Sequence, residues 1–166
     1  MNSQYKNSTS EQAKGFTIIE VVLVLAIAGL IFLMVFIALP ALQRGQRDAQ
    51  RKQDLSRVSV QLTNYLASSR GSVPDDDDAL KNFVKGYLGG TSGTEAGDDY
   101  KDPNGNNYIV DYDGSPEEIG QIRYKDQTLC DATKPEGVEA TTAKRDFTLL
   151  IKLENQEAPF CIDNKS

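Results

Sequence analysis

The longest unbroken pattern in the chain is apolar. Val21–Leu39 is nineteen residues without a charged side chain. At about 1.5 Å per residue, a helix of that length crosses a bilayer core of roughly 30 Å. Behind it, Leu55, Val58, Leu62, Tyr65 and Leu66 recur at steps of three and four, so Ala41–Arg70 is predicted to continue the helix with one apolar stripe to pack on a sheet. Gly71 and Pro74 stop it. Asp75–Asp78 then caps a short second helix over 79–88. Its apolar face is Leu80, Phe83, Val84, Tyr87 and Leu88, and Gly89-Gly90 ends it. Capping and solvation account for the four aspartates better than a cation site does.

Beyond a Gly-, Asp- and Asn-rich loop over 91–107, alternation takes over. Strands are expected at Tyr108–Tyr112, Ile119–Leu129 and Phe147–Leu153. Ile122 and Tyr124 share a face in the second; Phe147, Leu149, Ile151 and Leu153 share one in the third. Gly114-Ser115-Pro116 is the turn between the first two. Residues 131–146 read as a polar loop, and Pro159–Ile162 as a short final piece. The fold class is α+β, a long N-terminal helix laid on a small antiparallel sheet.

Composition narrows the chemistry. The chain has 166 residues and neither histidine nor tryptophan, which removes imidazole bases, His-containing triads and His metal sites. Nothing in the sequence forms a catalytic constellation, and no enzyme activity is expected. The stem from Arg44 to Arg70 holds six basic residues (Arg44, Arg47, Arg51, Lys52, Arg57, Arg70) against Asp48 and Asp54. From Gly71 onward twenty acids face ten bases. An acidic head repels phosphates, so direct nucleic-acid binding is not expected. The basic stem could meet lipid headgroups or acidic heads of neighbouring copies, or be a solvated helix face. Cys130 and Cys161 lie beyond the span and fit a disulfide in an oxidising space; the alternative is two buried thiols.

In front of the apolar run stands Lys14-Gly15-Phe16-Thr17-Ile18-Ile19-Glu20. Near a bilayer centre a carboxylate costs about 2.5–3.5 kcal/mol, so Glu20 needs a partner. The segment resembles the N-terminus of type IV pilins and of the pseudopilins of type II secretion, carried by Lys14-Gly15, Phe16, Thr17, Glu20 and Gly29. The resemblance implies a pilin fold and a leader, Met1–Gly15, removed by a prepilin peptidase between Gly15 and Phe16. It also implies N-methylation of Phe16 and a role for Glu20 in assembly. Phe16 and Glu20 are four apart, on one helix face, so the ammonium created by cleavage can offset the carboxylate. Methylation keeps that charge.

The leader is polar and lacks an apolar core of its own, unlike an ordinary secretory signal. Lys6 and Lys14 favour a cytoplasmic leader and an outward head. The basic stem weakens that charge argument, so orientation rests on the resemblance. The Asn7-Ser8-Thr9 sequon falls in the leader. Pro40 removes one helical hydrogen bond and crowds the Phe36 carbonyl, predicting a kink. By resemblance, Gly29–Pro40 would lose its helix on assembly. Tyr100–Tyr108 resembles the turn that opens the sheet in major pseudopilins. Some of those proteins bind calcium in the loops that follow, which would make Asp102, Asp111 and Asp113 oxygen ligands, although their spacing matches no calcium loop; otherwise no cofactor is expected.

The expected organisation is leader 1–15, transmembrane or filament-core helix 16–42, amphipathic helix 43–70 and head 71–166. The implied partners are copies of the same chain, the prepilin peptidase, an inner-membrane platform protein and a cytoplasmic assembly ATPase. The expected function is a structural subunit of a type IV pilus-like surface filament. A pseudopilin of a secretion or competence system is the near alternative. A single-pass membrane-anchored extracellular binding protein is the distant one.

Overall fold

A computed structural model describes residues 15–91 and 93–165. The leader's Lys6, Asn7 and Lys14 lie outside the described residues. Two helices are described, α1 (Ile18–Ser68) and α2 (Asp77–Tyr87). Six strands follow: β1 (Ile109–Tyr112), β2 (Gln121–Asp126), β3 (Thr128–Cys130), β4 (Val138–Ala140), β5 (Phe147–Ile151) and β6 (Phe160–Asp163). The chain divides into two compact units, Met1–Pro40 and Ala41–Ser166.

In the first unit, α1 starts after Thr17, so Phe16 stands ahead of the helix, and the apolar side chains of α1 are exposed, among them Ile18 at 86% and Phe36 at 73%. This is the one helix, among the described residues, long and apolar enough to cross a membrane. Gly29–Pro40 is helical in the single chain, and α1 is assigned as one helix through Pro40.

In the second unit the predicted stripe is in place. Leu55, Val58 and Leu62 are fully buried, with Tyr65 and Leu66 packed partly against the same core. The end of α1 is closed by backbone geometry: Arg70 and Gly71 both adopt positive φ, 57° and 83°. The Gly71 N–H donates to the Leu66 carbonyl at 2.8 Å, a Schellman closure in which Arg70 is the left-handed residue. The Asp76 carboxylate caps α2, accepting from the Ala79 N–H at 2.7 Å. Leu80, Phe83, Val84 and Leu88 bury the face read from the sequence. Tyr65 meets Phe83 edge-on at 5.7 Å, tying the two helices together.

The main sheet has the order β1-β2-β5-β6 and is mixed, not antiparallel as the alternation suggested. β2, β5 and β6 are antiparallel neighbours, but β1 runs parallel to β2. Parallel strands ordinarily need a dozen or more residues of crossover. Here the strands are so short that the chain has only to return about 10 Å, from Tyr112 back to the level of Ile109, and residues 113–120 suffice. Left-handed Asp113 and Gly114 begin that return, and left-handed Gly120 ends it.

The long second strand read from the sequence is divided. Gln127, at φ 49°, ends β2, and the chain turns away into β3. β3 pairs with β4, which lies inside the stretch read as a loop. The Cys130–Cys161 disulfide is formed and joins β3 to β6. One sheet face supplies Tyr108, Val110, Ile122, Tyr124, Phe147, Leu149 and Ile151 to the core with α1 and α2. The other face of β5 is covered too: Thr148 bonds Thr128 of β3 at 2.8 Å, and Leu150 is fully buried beside Gly137. That is why every residue of β5 is buried.

Candidate functional site

At the N-terminus, Gly15 and Phe16 are exposed, and nothing lies within 4 Å of a side chain built at Gly15. Glu20 is held locally. Its Oε2 accepts from the Thr17 N–H at 3.2 Å and from the Thr17 hydroxyl at 3.1 Å, while the Glu20 N–H donates to Thr17 Oγ1 at 3.4 Å. This is a reciprocal capping box that satisfies donors the helix start would otherwise leave free. Its signature, Thr-x-x-Glu ahead of an apolar run, stands in the sequence at Thr17–Glu20, beside the charge argument for the same carboxylate.

The largest polar construction lies in the second unit, where α1 enters the head. Arg51 is fully buried. Its guanidinium grips the Asp102 carboxylate with two N–H groups, Nε at 2.5 Å and a terminal nitrogen at 3.2 Å. The other terminal nitrogen donates to Glu154 at 2.8 Å and to Asp48 at 3.1 Å. Arg47 forks onto the same Glu154 at 2.7 and 2.5 Å. Asp48 turns its remaining capacity to the chain after β5, accepting the backbone N–H groups of Glu154 at 2.9 Å and Asn155 at 3.0 Å. One turn further along α1, Asp54 accepts from the buried Tyr108 hydroxyl at 3.1 Å and from Arg57 at 3.1 Å. Three stretches distant in sequence are thereby clasped: the stem, the turn at Asp102 and the segment behind β5.

The electrostatics are self-consistent. Burial works against the Arg51 charge, but hydrogen bonds to Asp102 and Glu154 outweigh it, so the guanidinium is held above its ordinary range. The Arg47 hydrogen bond, with Arg51 behind it, lowers Glu154 from 4.5 to about 2 against the opposing effect of burial. Desolvation, reinforced by Asp54, pushes the Tyr108 phenol well above its ordinary value and keeps it a neutral donor.

The clasp revises the reading of the stem. Arg47 and Arg51 spend their charge inside the chain, the half-exposed Arg57 pairs with Asp54, and Lys52 lies over the Phe160 ring at 4.8 Å. The sequence signal was present: Asp48 and Arg51 precede Leu55, Val58 and Leu62 at steps of three and four. They therefore occupy core positions of the same stripe, where burial demands partners.

The three candidate calcium ligands are dispersed among separate cations. Asp102 is bound by Arg51, Asp111 by Arg123 at 2.8 Å, and Asp113 faces Lys125 at 3.5 Å. Among the described residues no group of three or more acids, cysteines or histidines is arranged to hold a metal ion. Compared with protein-family models, curated proteins and solved structures, the chain matches none.

Proposed function

We propose that this chain is the subunit of a type IV pilus-like filament: inserted in the membrane, cut between Gly15 and Phe16, N-methylated at Phe16 and polymerised through its N-terminal helix. The observation that carries this reading is the coincidence, on one short stretch, of an exposed Gly15-Phe16 bond, an acid at Glu20 and an exposed apolar helix behind it. The helix continues into a disulfide-bonded α+β head, as such a subunit requires. Cleavage creates an ammonium at Phe16, four residues ahead of Glu20 in sequence. That cation competes with Thr17 for the carboxylate, in the same chain or from a neighbour, so processing changes the partner of the only acid in the apolar segment. The peptidase, a platform protein and an assembly ATPase are the partners this reading needs.

A pseudopilin of a secretion or competence machine is the second reading, favoured by the Tyr100–Tyr108 turn. That turn is tightly built, with the Gly105 N–H donating to the Asp102 carbonyl at 2.7 Å and the Tyr108 N–H to the Tyr100 carbonyl at 3.0 Å.

Mass spectrometry of material sheared from the cell surface tests the proposal. A peptide beginning at methylated Phe16 and abundant in sheared filaments is the expected result. The same peptide confined to membranes would favour the pseudopilin. An uncut leader would overturn both and leave an anchored binding protein. Glu20→Ala subunits entering filaments at the normal level would remove the proposed role of the carboxylate.

A further inference from the structure

The Asp102–Pro103 peptide bond carries an arrangement that neither the clasp nor the filament reading requires. Asp102 Oδ1 accepts the Asn104 N–H at 2.9 Å, which folds the carboxylate back over the peptide group that follows it. The Asp102 carbonyl oxygen accepts the Gly105 N–H at 2.7 Å, a donor already aimed at the oxygen that would gain charge if the carbonyl carbon were attacked. The leaving atom would be a prolyl nitrogen, which has no N–H and departs as a secondary amine. Nucleophile, polarised carbonyl and leaving group thus belong to one turn. Against them stands Arg51, which holds both carboxylate oxygens, and the side chain is almost sealed from solvent, with Asp102 4% exposed.

We propose that Asp102–Pro103 is a self-cleavage site kept closed by the Arg51 clamp. When the clamp is released, a carboxylate oxygen of Asp102 attacks its own backbone carbonyl carbon and forms a C–O bond. The C–N bond to Pro103 breaks, and the prolyl nitrogen takes a proton from a buffer acid or water. The product is the five-membered cyclic anhydride of Asp102. One water opens it, leaving a C-terminal aspartate on one fragment and an N-terminal proline on the other. One water is consumed and nothing is oxidised or reduced. Cys130 and Cys161 both lie beyond the cut, so the disulfide does not tether the fragment carrying all six strands to the helices. The chemistry is independent of whether the protein polymerises.

The test is intact-mass analysis of the full chain in detergent micelles, incubated in mildly acidic buffer. Four samples are compared: folded wild type, wild type unfolded in urea, Arg51→Met and Pro103→Ala. Folded wild type should cleave more slowly than the unfolded chain. Arg51→Met, shown by circular dichroism to be folded, should cleave on the order of tenfold faster than the unfolded chain, because the turn pre-orients the reacting atoms. Pro103→Ala, which keeps the nucleophile but replaces the prolyl leaving nitrogen, should slow the appearance of the fragment pair. If Arg51→Met does not fold, Arg51→Gln, which keeps amide donors without the fork, is read in its place. Folded wild type cleaving as fast as the unfolded chain would overturn the clamp. A folded Arg51 variant no faster than the unfolded chain would overturn the site.

Discussion

Glu154 gives the clasp a measurable signature in acid. Its carboxylate is largely buried, receives three hydrogen bonds from Arg47 and Arg51, and titrates at about 2 rather than 4.5. A depressed carboxylate stabilises the fold in full above its unfolded value and loses that contribution as pH falls through its folded value. The shift corresponds to roughly 3 kcal/mol, present above about pH 4.5 and lost towards pH 2. Glu154→Gln removes the ionisable group, so the variant should be weaker than wild type at neutral pH and the gap should close through that acid window. The assay is urea unfolding of the full chain in detergent at a series of pH values, followed by near-ultraviolet circular dichroism. The chain has seven tyrosines and no tryptophan, so that signal reports the packing of Tyr108 and Tyr124 in the head core. Asp131 and Asp146 are also depressed and shape the background, but they are common to both proteins and cancel in the difference. A wild-type-to-variant gap that stays constant from neutral pH down to about pH 2 would refute the assignment of the shift to this clasp.

Arg51→Met alone should cost about 3–5 kcal/mol, because it leaves buried Asp102 without its cation and takes one partner each from Asp48 and Glu154, and adding Asp102→Leu should recover much of the loss in the same unfolding assay. Replacing both Cys130 and Cys161 by alanine should cost about 3–4 kcal/mol from the freed loop, with faster hydrogen exchange at Thr148 and Leu150, which the β3–β4 hairpin covers. Asp76→Ala removes the α2 cap and should lower stability by about 1 kcal/mol in thermal unfolding, whereas Asp78→Ala, which is exposed and caps nothing, should cost less.

The parts legible in the sequence were those decided by local periodicity. Leu55, Val58 and Leu62 on one helical face, a cap within Asp75–Asp78 and the alternation of Phe147, Leu149 and Ile151 follow from geometry that a few consecutive residues determine. The parts that escaped were decided by pairing over long separations. The direction of β1 depends on where residues 113–120 deliver the chain, which alternation does not encode. β4 is only three residues, Val138-Glu139-Ala140, too short for a legible alternation, and it is paired with β3, which the disulfide joins to β6. Two of the three acids that hold Arg51, Asp102 and Glu154, are 51 and 103 residues away. A basic residue on a stem reads as surface until its register with Leu55 is noticed.

That register has a consequence for the outside of the helix. Because Asp48, Arg51 and Asp54 point into the head, the face left to solvent carries Gln43, Gln46, Gln50, Gln53, Ser56, Val60 and Asn64, with Arg44 and Arg57 as the exposed charges of the helical stem. An amide is donor and acceptor at once, so copies of such a face can satisfy one another's hydrogen bonds. A charged face could not do so, since packing copies through it would bring like charges together. A protein that only needed to stay dissolved would gain more from the opposite arrangement, with ions outside and amides or alkyl groups within. Burying Arg51 among three acids therefore leaves an amide-rich helix surface, interrupted by the exposed cation Arg57, directly following the apolar segment in sequence. The proposed filament is the reading that would give both surfaces the same occupant, another copy of this chain.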